Sequence, residues 1–152
     1  MRIVLQRVSH ASVDVDGERI AEIGRGLLLL VGVAPSDETV DLDRLAHKIV
    51  SLRIFPDEEG LMNRSLLDEE GPILAVSQFT LYGDVSKGRR PSFIGAARPE
   101  IAEPTFDRLV EALQRAGART QQGRFGAKMA VGLTNDGPVT LVLEVEGTAQ
   151  EH

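Results

Sequence analysis

The 152-residue sequence predicts a single α+β domain with a mixed, mostly antiparallel, barrel-like sheet and two main helices. Three observations carry that prediction. Short segments with strand alternation or continuous apolar character fill the two ends of the chain. Two stretches with apolar residues at helical spacing lie between them. Strands and helices do not alternate regularly, as a doubly wound parallel sheet would require.

Ile3–Val8 and Ser12–Val15 read as short strands, the second alternating apolar and polar residues. Asp16-Gly17 is a hairpin signal before a strand over Glu18–Ile23. Gly24 and Gly26 lead into Leu27–Val33, which is apolar on both faces and fits a central strand covered on each side, once by helix. Ser36 or Asp37 is expected to cap the first helix, with Asp37 and Glu38 at its positive end. Leu42, Leu45, Ala46, Ile49 and Leu52 form its apolar stripe. Ile54-Phe55 reads as a short strand, ended by Pro56 and the turn at Asp57–Gly60.

Gly71-Pro72 opens a buried strand, Ile73–Val76, that continues into polar Ser77, Gln78 and Thr80. Gly83–Pro99 reads as a long loop, a feature uncommon in compact domains and often functional. The second helix falls within Glu100–Ala116, with Phe106, Leu109, Val110 and Leu113 on one face, Pro104 in its first turn and Gly117 past its end. Strands return from Arg119 to Val145, where Gly137-Pro138 interrupts two β-rich runs, Met129–Thr134 and Val139–Val145. No repeat or linker divides the chain, so one domain is expected over 1–152, with a frayed tail at about 147–152.

Composition removes several classes of function. With no cysteine there is no disulfide, thiolate nucleophile or thiolate metal site. His10, His47 and His152 show no metal-ligand spacing, so no metal and no cofactor are expected. The longest apolar run, Leu27–Val33, is too short to span a bilayer, and the start lacks the apolar core of a signal peptide. A cytoplasmic protein with no membrane partner is therefore expected. A net charge of -6 argues against broad nucleic-acid binding. The charge is uneven, however: Lys87, Arg89 and Arg90 cluster just after the polar strand end, in a segment suited to phosphate contact.

Two segments carry the functional reading: Ser77-Gln78-Phe79-Thr80-Leu81-Tyr82-Gly83-Asp84 and Asn135-Asp136-Gly137-Pro138-Val139-Thr140. The first puts hydroxyl and amide groups at the rim of a core, where ligands bind. In the second, proline gives up a backbone donor among strands, which fits a site where backbone geometry matters. Alone, each has a plainer interpretation. Asp-Gly-Pro is an ordinary turn, and Ser77 and Thr80 are wet-face strand residues.

Together, in order, they resemble the D-aminoacyl-tRNA deacylases, also called D-tyrosyl-tRNA deacylases. Met1–Ser9, Leu52–Phe55, Met62-Asn63, Lys87–Phe93 and Gly123–Ala127 extend the resemblance over nearly the whole chain. The resemblance implies a homodimer that hydrolyses the ester joining a D-amino acid to the terminal adenosine of tRNA, proofreading translation in trans. It implies that Ser77, Gln78, Phe79 and Thr80 of one subunit face Gly137 and Pro138 of the other across the interface. It also implies a cis Gly137–Pro138 bond whose carbonyls take the substrate amino group and leave no room for an L side chain. Glycyl-tRNA, with no side chain to clash, would be admitted.

The residues support this chemistry in part. An activated ester needs a positioned water and a stabilised oxyanion, which backbone N–H groups near Phe79 and Thr80 are placed to supply. Thr80 as a nucleophile would need a base, and none stands beside it in sequence. The resemblance favours activation of the water by the 2′-hydroxyl of the tRNA. Two rivals stay open: a non-catalytic module that captures tRNA ends, and a hydrolase of small acyl esters. Aromatic residues at 4% count against the module, which would need stacking platforms.

Overall fold

Strand β1 organises the sheet. The computed structural model describes residues 1–147, and β1 runs through Arg2–Val15 as one continuous strand, where two short strands were expected. The tail expected from about Gly147 lies, beyond that residue, outside the described residues. β1 pairs antiparallel with β2 (Glu18–Ile23) along its second half and with β3 (Gly26–Gly32) along its first. The β1–β2 hairpin turns at Asp16 and Gly17, both with positive φ, as the Asp-Gly pair requires.

From β3 the chain crosses over through a 3-10 turn (Pro35–Thr39), helix α1 (Leu42–Ser51), the small hairpin of β4 (Phe55–Pro56) and β5 (Met62–Arg64), and a four-residue helix α2 (Leu66–Glu69). Strand β6 (Ile73–Ser77) then lies parallel to β3, and β7 (Thr120–Gln122) follows helix α3 (Pro99–Arg115) to lie parallel to β6. The sheet order is β2-β1-β3-β6-β7. Its two ends meet through one side chain. Gln121 Nε2 donates to the carbonyl of Glu22 at 2.8 Å, and the Glu22 N–H donates to Gln121 Oε1 at 3.0 Å. The mixed sheet thus nearly closes into a barrel. Strand β8 (Ala130–Glu144) pairs antiparallel with the other edge of β1 along nearly all its length.

Alternation divides the apolar residues between two cores. Leu27, Leu29, Val31, Ile73 and Ala75 face α1 and α3, while Leu28, Leu74 and Val76 point into the barrel with Val13 and Ile23. Each such fully buried Leu or Ile contributes about 1.5–3 kcal/mol. This is the two-sided burial expected of Leu27–Val33. β1 switches faces midway: Ile3 and Leu5 belong to the helix-side core, whereas Ala11, Val13 and Val15 fill the barrel. The switch follows from a bulge at Ser9, since Val8 pairs with Asn135 and His10 with Thr134.

Two local expectations are corrected. Asp41, not Ser36 or Asp37, caps α1, accepting from the Arg44 N–H at 3.1 Å. Asp37 is instead buried in the preceding 3-10 turn, where it holds the Met1 ammonium at 2.7 Å and the Ala34 N–H at 2.6 Å. Pro104 lies inside α3 rather than in its first turn, because Pro99 opens that helix one turn earlier. Among the described residues no helix is long and apolar enough to cross a membrane.

Candidate functional site

The polar end of β6 breaks away from the sheet at once. Ser77 is its last paired residue, level with Val31, and the Gln78 N–H donates to the Val31 carbonyl at 2.7 Å. Phe79–Tyr82 then coil into a single 3-10 turn, so Phe79 and Thr80 stand on a turn above the sheet edge and not on the strand itself. Gly32 makes room for this turn. A Cβ there would lie 3.1 Å from Leu81 Cβ and 3.2 Å from the Gln78 carbonyl oxygen. From the far side Arg2 ties the turn down. Its Nη1 donates to the Leu81 carbonyl at 2.7 Å, its Nε to Glu144 at 2.9 Å, and its guanidinium lies 4.8 Å over the Tyr82 ring. Partial burial of Tyr82, with the Asp37 charge second, pushes its phenol up to about 12.

Thr80 is exposed, and its hydroxyl oxygen accepts from Gln78 Nε2 at 2.5 Å. Gln78 is therefore a donor to Thr80 and no base for it. Among the described residues no carboxylate or imidazole is bonded to that hydroxyl.

Beside this turn opens a cavity of about 540 Å³ with mainly apolar walls. Ser77, Gln78 and Phe79 form one side, Phe125 and Met129 another, and Phe93 the lip. Phe79 and Phe93 meet edge to face with ring centres 5.2 Å apart. The long loop after the turn is pinned at its base by paired hydrogen bonds between Asp84 and Ser92, at 2.7 and 2.9 Å. It is pinned again where the Ala97 N–H donates to the Val33 carbonyl at 2.8 Å. Lys87, Arg89 and Arg90 lie exposed at its tip, and none is ion-paired among the described residues. Hydrogen bonds from Ser86 hold the Asp84 carboxyl below the usual carboxylate range.

The Gly-Pro segment departs from the two-strand expectation. β8 passes through it unbroken, and the segment forms a wide bulge. Gln6 pairs with Thr140 and Val8 with Asn135, so residues 136–139 all stand opposite the single residue Arg7. The Gly137–Pro138 bond is cis. Gly137 has φ +145°, and a Cβ there would lie 2.9 Å from the Val139 nitrogen, so the position calls for glycine. Arg7 is buried beneath the bulge. Its Nε donates to the Asp136 carbonyl at 2.9 Å and its Nη1 to the Ile54 carbonyl at 2.6 Å. Across the neck of the bulge, Asn135 bonds to Val139 and Thr140. Gly137 and Pro138 themselves are both exposed.

The fold does not bring the two motifs together within one chain. Ser77 is level with Ile3 through Val31, and Gly137 stands opposite Arg7 on the other side of β1. Four residues along the strand and three strand spacings across the sheet separate them by roughly 15–20 Å.

Arg7, Arg2 and the cavity walls Phe93, Phe125 and Met129 received no site role from the sequence. Arg7 had a signal: with Ile3 and Leu5 it occupies the inward phase of β1, so its guanidinium had to be buried and partnered. Arg2, Phe93 and Phe125 lie in segments that carry the resemblance, but their convergence with Met129 on this site could not be read locally, because they come from segments distant in sequence.

The chain matches the family model described as D-Tyr-tRNA(Tyr) deacylase over residues 4–144. It is 58% identical over 144 residues to a D-aminoacyl-tRNA deacylase of Thermomicrobium roseum, covering 95% of this chain and 94% of that one. It is 54% identical over 146 residues to the deacylase of Syntrophomonas wolfei, with 96% and 98% covered. A solved structure titled c-Myc DNA Unwinding Element Binding Protein superposes with a TM-score of 0.88 at 43% identity, over 95% of this chain and 99% of that chain. One titled as a probable eukaryotic D-amino acid tRNA deacylase, 20% identical with a TM-score of 0.80 over 95% and 98%, shares the fold. A match along almost the whole chain, at more than half identity and with the two motifs in place, makes this chain a member of the D-Tyr-tRNA(Tyr) deacylase family.

Proposed function

We propose that the protein hydrolyses the ester of D-aminoacyl-tRNA, releasing the D-amino acid and free tRNA, and that it works as a homodimer with two shared sites. The observation that carries this reading is the placement of Gly137-Pro138. The pair projects from β8, accessible and braced from behind by Arg7, yet lies too far from Thr80 of its own chain to form one site with it. A second copy supplies the missing half, so that Ser77–Thr80 face Gly137 of the partner subunit and Pro138 of the partner subunit. Leu133 and Val142, 39% and 63% exposed on a strand paired along one edge only, support such an interface.

In that site the cavity beside Phe79 takes the terminal adenosine, its planar base against aromatic walls. Lys87, Arg89 and Arg90 take phosphates of the acceptor end. Water attacks the ester carbonyl, and backbone N–H groups of the Phe79–Thr80 turn stabilise the tetrahedral oxyanion. Collapse of that intermediate expels the ribose oxygen, which leaves with a proton. The neighbouring ribose hydroxyl orients and activates the water, because Thr80 is bonded to a donor and has no base. Selection by chirality acts through exclusion. D and L substrates carry the same groups, so only a penalty against one hand separates them, and a braced backbone wall provides it. Glycyl-tRNA passes the same wall. This reading also sets the protein in the cytoplasm, where tRNA is charged.

Deacylation of matched D- and L-aminoacyl-tRNA tests the reading. Rapid turnover of the D ester with the L ester spared is expected. Binding without turnover would favour a capture module, and turnover of small acyl esters alone would favour an unrelated esterase.

A further inference from the structure

We propose that Asn135 is the positioning residue that gives the Gly137–Pro138 wall its shape, and through it the selectivity for D substrates; the second part rests on the function proposed above. Between Asn135 and Thr140 the β1–β8 ladder loses its register, and four residues of β8 must be accommodated opposite one. Such an excursion has no ladder bonds to fix it, so its conformation depends on what closes its neck.

The Asn135 side chain closes it. Its Oδ1 accepts from the Val139 N–H at 2.8 Å, its Nδ2 donates to the Val139 carbonyl at 3.1 Å, and the same Nδ2 reaches Thr140 Oγ1 at 3.0 Å. The side-chain amide thus pairs with Val139 on both its donor and its acceptor, as a backbone peptide group of a neighbouring strand would. Val139 is buried, which anchors the far side of the neck in the core. Asp136 is fixed separately, through its carbonyl to Arg7. Gly137 and Pro138 are left as a short span between two fixed points. No other residue type supplies this set with the same reach. Aspartate keeps the acceptor but has no donor for the Val139 carbonyl and Thr140, and alanine has neither.

A wall that excludes one enantiomer must hold its position against the side chain it rejects, so loosening it should admit the wrong hand before it abolishes turnover. The test compares Asn135→Ala, Asn135→Asp and Thr140→Val with the wild-type full chain. Two quantities are read: the ratio of kcat/KM for D- over L-aminoacyl-tRNA, and amide hydrogen exchange at Val139 in the unliganded protein. In Asn135→Ala the ratio should fall at least tenfold, mainly through a rise for the L ester, and Val139 exchange should quicken at least tenfold. Asn135→Asp, which keeps the acceptor for the Val139 N–H, should lower the ratio with a smaller change in that exchange. Thr140→Val, which removes one acceptor at an exposed position, should move both in the same direction by less. A folded Asn135→Ala with a ratio within twofold of wild type overturns the proposal. Should that variant not fold, Thr140→Val decides, and no change in its ratio and exchange would overturn the proposal equally. A wild-type protein without D preference would defeat the proposed function instead. In that case unchanged Val139 exchange in Asn135→Ala would show that the clasp itself is wrong.

Discussion

Thr80 is the residue on which the mechanism turns. It is exposed on the turn beside the cavity, but the one hydrogen-bond partner of its hydroxyl among the described residues, Gln78, is a donor. A threonine hydroxyl without a base remains protonated and weak. Thr80→Ala should therefore lose only what the side chain adds to positioning, on the order of tenfold in kcat, a loss typical of one neutral hydrogen bond. A substrate ending in 2′-deoxyadenosine should react far more slowly even with the unaltered protein, since the hydroxyl that the proposed function assigns to water activation is gone. Single-turnover rates on the two substrates check this. A dead Thr80→Ala variant, together with undiminished hydrolysis of the deoxy substrate, would make Thr80 the nucleophile.

At the scale of elements, the proposed function has the loop between the 3-10 turn and α3 supply affinity without selectivity. It is fixed at both ends, by the Asp84–Ser92 pair and by Ala97 on Val33. Replacing Lys87, Arg89 and Arg90 together by alanine should weaken tRNA binding and reduce the slope of log K against log salt, by up to about 0.9 for each phosphate left without its cation. The D-to-L ratio should stay as it was, because in the proposed function the loop touches the nucleic acid and not the chiral centre. Titrations at two salt concentrations show this, and unchanged affinity at both would return these residues to solvated charge. The elements themselves were largely legible. Leu27–Val33 announced a doubly covered strand, Asp16-Gly17 its hairpin, and the stripes of α1 and α3 their buried faces. What could not be read was set by neighbours distant in sequence. The bulge at Ser9 exists only against β8, and it joins what looked like two strands. The Gly-Pro segment looked like a break because proline gives up a ladder donor, yet Arg7 and Asn135 supply the missing bonds and let β8 continue. Residues 79–82 looked like a strand end because nothing local shows that Gly32 lets a turn settle onto β3.

For the whole molecule, the question is whether one copy suffices. Within a chain the Ser77–Thr80 turn and the Gly137–Pro138 wall lie on opposite sides of β1, and nothing in the hydrogen bonding of β8 would allow them to close on each other. Both halves of the site stand out in the sequence, but their separation is a property of sheet order, visible only once β8 is placed on the far edge of β1. That edge strand carries Leu133 and Val142 in the open, and an unpaired edge with exposed apolar side chains is a surface that proteins normally cover. Light scattering should give twice the 16.5 kDa chain mass. The double substitution Leu133→Glu, Val142→Lys places charge on that strand at positions accessible in the single chain, so the fold should survive with a melting temperature within a few degrees of wild type. The dimer should not survive it. Deacylation should then disappear in a protein that still shows native circular dichroism, since in the proposed arrangement each monomer retains only half of a site. A monomeric variant that still hydrolyses D-aminoacyl-tRNA at the wild-type rate would show that one chain carries the whole site, and the cross-subunit arrangement would have to be abandoned.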